Sequence, residues 1–202
     1  GAQLTVHTVK VEPYKPVVLK EFQATLDKHP KTQAVALVQH ETGIGLINPV
    51  RELCQAARER GILTIVDAVS SLGGLEILVD DWGIDICVGV ANKCIGAPIG
   101  IAPMTVSENA WQRVDNNQTK IAGWYLNLAT WRTAIENRPL HPHPTTMATN
   151  SFEALSVAVN RLLSSGLEAA FKQHRSAATR VRQELCELGF KLVIDDAFAS
   201  PL

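Results

Sequence analysis

Two short apolar runs, each closed by a charged residue, constrain this chain more than any other feature. Ile62-Leu63-Thr64-Ile65-Val66 runs into Asp67, and the run from Ile84 to Val90 leads through Ala91 and Asn92 to Lys93, 26 residues beyond the aspartate. Short, continuous apolar runs rich in β-branched residues read as strands buried on both faces. Strands of that kind belong to a parallel sheet, whose crossover connections lay helices over its faces.

The rest of the chain supplies those connections. Leu4 to Glu12 alternates apolar and polar residues as a strand does, and Pro16 opens an amphipathic helix through Leu19, Phe22 and Leu26 to about Lys28. Val35 to Gln39 is the next strand. A helix follows from Pro49 through Val50, Leu53, Cys54 and Ala57, and Gly61 ends it before the run into Asp67. The order β, α, β predicts an α/β fold with a mainly parallel sheet in three layers.

Further on, Ile99 to Met104 forms a short strand after the Gly96-Ala97-Pro98 turn, where the sheet turns antiparallel. Ser107 caps a helix carrying Ala110, Trp111 and Val114, and Trp124 to Ile135 reads as a second helix. The tryptophans Trp111, Trp124 and Trp131 read as core or dimer contacts. The prolines Pro139, Pro142 and Pro144 impose an extended loop. Two long helices follow, one through Phe152, Leu155, Val159, Leu162 and Leu163, broken by Gly166, and one from Leu167 to Leu188, ended by Gly189. Phe190 to Ile194 begins another strand. The chain opens at Gly1-Ala2-Gln3 and ends soon after that strand begins, which reads as an excerpt of a longer protein.

Composition narrows the function classes. A formal charge of -1 without a basic run leaves no electrostatic footprint for nucleic acid, and no apolar stretch approaches the roughly 20 residues that span a bilayer. The reading is therefore a soluble protein with no nucleic-acid and no membrane partner. The cysteines Cys54, Cys87, Cys94 and Cys186 form no CxxC pair, which suits reduced thiols in a cytoplasmic protein. His141 and His143 lack a third ligand at convincing spacing, so no metal site is expected.

An open parallel sheet binds ligands at the carboxyl ends of its strands, so Asp67 and Lys93 face one crevice. A carboxylate there can keep a pyridine nitrogen protonated. A lysine among apolar neighbours can release its proton and form a Schiff base with an aldehyde. Together they suit pyridoxal 5'-phosphate, whose protonated ring draws electrons from an amino-acid Cα.

Several segments together resemble the class V aminotransferases of fold type I. They are Glu41-Thr42-Gly43-Ile44-Gly45 with Asn48-Pro49, Val66-Asp67-Ala68-Val69-Ser70-Ser71-Leu72-Gly73-Gly74, Trp82-Gly83-Ile84-Asp85, and Asn92-Lys93-Cys94-Ile95-Gly96-Ala97-Pro98. The resemblance covers essentially the whole chain and looks closest to the alanine-glyoxylate, serine-pyruvate and pyridoxamine-pyruvate branch. It implies a pyridoxal phosphate-dependent aminotransferase that moves an amino group from a small amino acid or amine to a 2-oxo acid such as pyruvate or glyoxylate.

By the same resemblance Lys93 is the Schiff-base lysine that also shuttles the substrate proton, and Asp67 holds the pyridinium. Val69 packs on the ring, Thr42 lies beside the phenolic oxygen, and Asn92 stands near the phosphate. Thr146 reaches the phosphate of the neighbouring subunit, which implies a homodimer with shared sites. Residues 1–150 would then be part of the cofactor-binding large domain, 151–189 bridging helices, and 190–202 the start of a small C-terminal α+β domain. Where the family commonly has threonine, glycine, serine and glutamine before the lysine, this chain reads Gly89-Val90-Ala91-Asn92, with fewer hydroxyls on the phosphate side. The family's glycine-rich phosphate cradle, its ring-stacking aromatic and its substrate arginine belong to segments outside these residues.

Two alternatives stand beside this reading. A cysteine desulfurase-like lyase of the same fold would use the same aspartate and lysine, but it usually carries a histidine where Asn92 stands and a mobile cysteine nucleophile. A catalytically incomplete dimerisation core is the other.

Overall fold

The computed structural model describes residues 4–117, 123–137, 140 and 143–202. Helix α1 spans Leu19–Lys28 and buries Phe22 and Leu26, two positions one turn apart on one face. Strand β1, Ala34–Val38, is followed by a small antiparallel pair, β2 (His40–Glu41) and β3 (Leu46–Ile47). Helix α2, Val50–Arg58, buries Val50, Leu53, Cys54, Ala56 and Ala57. Gly61 sits at φ 67° and Ile62 N–H donates back to Ala57 O over 3.1 Å, so the helix ends where its glycine predicts.

Strand β4, Leu63–Asp67, runs parallel to β1 and to β5, Ile86–Val88, and β6, Met104–Val106, closes the sheet antiparallel to β5. The sheet order is β1-β4-β5-β6. The antiparallel turn expected near Ile99 is therefore present, with the regular strand a little later. Gly89 N–H to Pro103 O and Ala91 N–H to Ile101 O carry the pairing on beyond the strand ends.

One face of the sheet is covered. Val66, Ala68 and Cys87 pack with Val50, Cys54, Trp82 and Ile84, while Val35 and Leu37 pack onto the cluster of Phe22, Leu26, Leu53 and Ile62. On the opposite face Ala34, Ala36, Val38 and Asp67 are exposed, and Ile65, Ile86 and Val88 are half-buried.

Ser107 caps helix α3, Glu108–Asp115, by accepting from Ala110 N–H. Helix α4 is Leu128–Asn137, so the aromatic run expected to open it lies mostly ahead of it. Trp131 Nε1 donates to Tyr125 O and the Arg132 guanidinium lies 4.9 Å over Trp111. Helices α5, Thr149–Ser165, and α6, Leu167–Glu187, break at Gly166 as expected.

Two expected strands are absent. Leu4 to Glu12 has no regular secondary structure and only Val9 reaches the core, because alternation without a hydrogen-bonded neighbour makes no ladder. Phe190 to Ile194 forms none either. The chain instead pairs a few residues later, where Ser200 N–H donates to Gly45 O and Ile47 N–H to Phe198 O, extending the small β2–β3 sheet.

Candidate active site at the carboxyl ends of the parallel strands

Asp67 is the last residue of the central strand β4, in register with Val38 on one side and Val88 on the other. Neighbouring strands lie about 4.8 Å apart, so Asp67 stands between the ends of β1 and β5. Gln39 N–H donates to Asp67 O and Ala68 N–H to Val88 O, which carries the ladder to the rim of the sheet. The Asp67 side chain is on the exposed face. Its Oδ1 accepts from Val69 N–H over 2.8 Å, a turn that fixes the carboxylate's direction. Among the described residues Oδ2 takes no hydrogen bond, which leaves it acceptor capacity for a ligand.

Lys93 lies five residues beyond Val88 in a turn over 91–95, with Gly96 N–H donating to Lys93 O. It and Asn92 are exposed. The same is true of Thr42, in the exposed turn between β2 and β3. That turn is held by Glu41 Oε1, which accepts from Gly43 N–H at 2.9 Å, and not by the Thr42 hydroxyl. Val69 is half-buried beside Asp67. The rim of three adjacent strands thus carries Thr42, Asp67 with Val69, and Asn92 with Lys93.

Thr146 is apart from this group by chain and by element. It is exposed and lies three residues before α5, whose N-cap is Ala148 without a side-chain hydrogen bond, so Thr146 is not the helix cap. His141 is outside the described residues, and His143 Nδ1 lies 2.7 Å from Thr145 O. Among the described residues no three His, Cys, Asp or Glu side chains converge on a metal position.

A cavity of about 600 Å³ opens beside the Thr42 turn, lined by Ile44, Gly45, His174, Arg182, Lys191 and Ser200 among others. Neither Asp67 nor Lys93 reaches it. Arg182 is already engaged there by Asp196 and Ser200 O.

The donor set suits an aromatic nitrogen base bearing an aldehyde. A carboxylate with a spare oxygen can hold a protonated ring nitrogen, and an exposed primary amine on the adjacent strand end can condense with a carbonyl. Sequence reading missed His40, which is 6 % exposed and lies 3.2 Å by Nδ1 from Ser70 O. Nothing local marks it, because its partner is 30 residues away.

The family model for Aminotransferase class-V matches residues 2–199. An uncharacterised aminotransferase of Methanocaldococcus jannaschii is 38% identical over 178 residues, covering 88% of this chain and 45% of that protein. The pyridoxamine–pyruvate transaminase of Mesorhizobium japonicum is 32% identical over 198 residues, covering 96% of this chain and 50% of that enzyme. The crystal structure of an alanine–glyoxylate aminotransferase from Nostoc sp. superposes with a TM-score of 0.86 at 28% identity, over 93% of this chain and 49% of that one. A cysteine desulfurase from Thermococcus onnurineus shares the fold alone, at 18% identity. The chain spans about half the length of the curated relatives it matches.

Proposed function

The chain belongs to the class V aminotransferase family, and on that premise we propose that the protein carrying it is a pyridoxal phosphate-dependent transaminase passing an amino group from a small amino donor to pyruvate or glyoxylate. The observation that supports this reading is that Asp67 ends β4 beside Val88 at the end of β5, from which the chain runs five residues into the turn bearing Lys93. The bound cofactor supplies an electron sink for the carbon from which the amino group leaves. Lys93 Nζ is the amine that would hold the cofactor through its aldehyde and would carry the proton at the substrate Cα. Asp67 Oδ2 holds the ring nitrogen in its protonated form, with Oδ1 kept in place by Val69 N–H. Val69 packs on the ring, Thr42 binds the phenolic oxygen and Asn92 the phosphate.

Thr146 completes the phosphate site of a second subunit, so the enzyme is a homodimer with shared sites. The exposed Trp124, Tyr125 and Leu126 ahead of α4 give such an interface apolar surface. Residues 1–150 belong to the large domain, 151–189 bridge, and 190–202 enter the small one. Four free cysteines suit a reducing cytoplasm. The desulfurase alternative lacks its histidine at Asn92, and Cys186 sits inside the helix α6.

The test is addition of pyridoxal phosphate, borohydride reduction and peptide mapping. A pyridoxyl group fixed on Lys93, lost in Lys93→Ala, is expected; amino-group exchange at the native rate in Lys93→Ala would end the reading.

A further inference from the structure

One residue joins the three strand ends that carry the candidate site. Ser70 donates its hydroxyl to His40 O over 2.9 Å, and its own carbonyl lies 3.2 Å from His40 Nδ1 and 3.3 Å from the Cys94 thiol. A carbonyl oxygen has two lone pairs and only accepts, so it takes both bonds, and the His40 ring carries its proton on Nδ1. His40 stands two residues before Thr42, Ser70 three residues after Asp67, and Cys94 next to Lys93.

The turn that presents Lys93 is shaped by its own backbone, through Gly96 N–H to Lys93 O and Ala97 N–H to Ala91 O. Those bonds give it form but do not tie it to β4. Among the described residues the Cys94 thiol makes the side-chain hydrogen bond that links this turn to the segment after Asp67. Burial pushes the thiol up in pKa and the Lys93 charge pulls it partly back, so the sulfur keeps its proton at neutral pH and remains a donor. The space is matched: a Cβ at Gly74 would come within 2.8 Å of Cys94 Sγ.

We propose that His40, Ser70 and Cys94 form a brace that fixes the Lys93 turn against the Asp67 strand end, with Cys94 as a positioning residue for Lys93. The inference rests on the reading of Asp67 and Lys93 as the cofactor pair, because a site of that kind must hold its groups to within about 0.5 Å. Lys93 and Asn92 make no side-chain hydrogen bonds of their own among the described residues, so their placement comes from such neighbours.

Two measurements on the purified protein test it. Without cofactor, iodoacetamide labelling of Cys94 is followed against the exposed Cys186 as internal reference. Ser70→Ala keeps the carbonyl that accepts from the thiol but removes the hydroxyl that ties Ser70 to His40 O, and loosening that tie is expected to speed Cys94 labelling by about threefold to tenfold relative to Cys186, the range for one neutral hydrogen bond. An unchanged ratio overturns the brace. With pyridoxal phosphate, Cys94→Ala is expected to raise the dissociation constant by a similar factor, about threefold to tenfold. Cys94→Ser, which keeps a donor, restores most of it while the unfolding midpoints of both variants match. A thiol that only fills space gives native affinity in Cys94→Ala, and that result also overturns the proposal. If the native protein fixes no pyridoxal phosphate on Lys93, the cofactor reading falls, and the labelling ratio still decides the brace.

Discussion

Asp67 and Asp85 occupy opposite edges of the same sheet and have opposite fates. Asp85, just before β5, is 8 % exposed and its carboxylate accepts from Thr64 N–H at 3.0 Å, Ser107 Oγ at 2.6 Å and Asn109 Nδ2 at 3.1 Å. Its backbone carbonyl also takes Ser107 N–H. One carboxylate thereby locks β4 to β5 and to the cap of α3. Asp67 is exposed and, among the described residues, its carboxylate answers a single backbone N–H. At the amino edge the Asp85 carboxylate is saturated, while among the described residues the carboxyl edge leaves acceptor capacity on Asp67 and the exposed amine of Lys93. Saturation, more than residue type, separates a carboxylate that holds the fold from one able to hold a ligand.

The contrast breaks most visibly at Asp85. Asp85→Ala strands three donors, two of them from a strand and a helix cap, and a buried donor without its partner costs about 1–3 kcal/mol. A loss of about 3–5 kcal/mol is expected, read as a lower urea midpoint at unchanged slope. A loss below about 1 kcal/mol, the ordinary result for a surface change, would make the two aspartates alike.

Each aspartate also sits near a buried thiol. Burial, offset in part by a Thr64 hydrogen bond and reinforced by the Asp85 charge, pushes Cys54 up to about 12. Burial and the Asp67 charge push Cys87 up to about 11. Both folded values exceed the ordinary 9.0, so the unfolded chain releases these protons first and stability falls with rising pH. Their contribution is complete below pH 9.0 and declines above it, up to about 11 for Cys87 and about 12 for Cys54. Each thiol gives a slope of about 1.4 kcal/mol per pH unit within its window. Urea midpoints between pH 8 and 10.5 should therefore drop less in the Cys54→Ala/Cys87→Ala double variant than in the native chain. Parallel pH profiles would refute the assignment.

A third change probes the carboxyl edge through packing. Gly74→Ala would place a Cβ 2.7 Å from Leu202 Cδ2 and 2.8 Å from Cys94 Sγ. Overfilling of this kind costs about 1–3 kcal/mol, and here it also presses on the Lys93 turn. Thermal unfolding of the variant measures the cost; a midpoint equal to the native one would show that this edge yields freely.

How much of this could be read from the residues depends on how local each signal is. The run into Asp67, the stop at Gly61 and the Ser107 cap are written in a few neighbouring residues, and each is where the sequence places it. Leu4 to Glu12 and Phe190 to Ile194 carry strand patterns too, but a strand exists only with a partner, and no single sequence names partners. The same reason hid the saturation of Asp85 and the His40–Ser70–Cys94 contacts, which span 21 to 30 residues. Asp67 and Lys93 are legible as a carboxylate and an amine that follow two apolar runs. Their exposure is not, because it follows from the tertiary arrangement around the strand ends.

The smallest effect on folding is expected where the largest effect on ligand is. In Asp67→Asn the amide oxygen can still accept from Val69 N–H, so the turn survives and stability should stay within about 0.5 kcal/mol of native, as for other exposed substitutions. The amide is neutral and cannot favour a protonated ring nitrogen as a carboxylate does. A hydrogen bond to a charged group contributes about 1.5–3 kcal/mol, so pyridoxal phosphate should bind roughly 10- to 150-fold more weakly. Equilibrium dialysis beside a urea melt measures both quantities on one sample. Native affinity in Asp67→Asn would reduce Asp67 to a turn residue, and the difference between the two edges of the sheet would then be one of exposure alone.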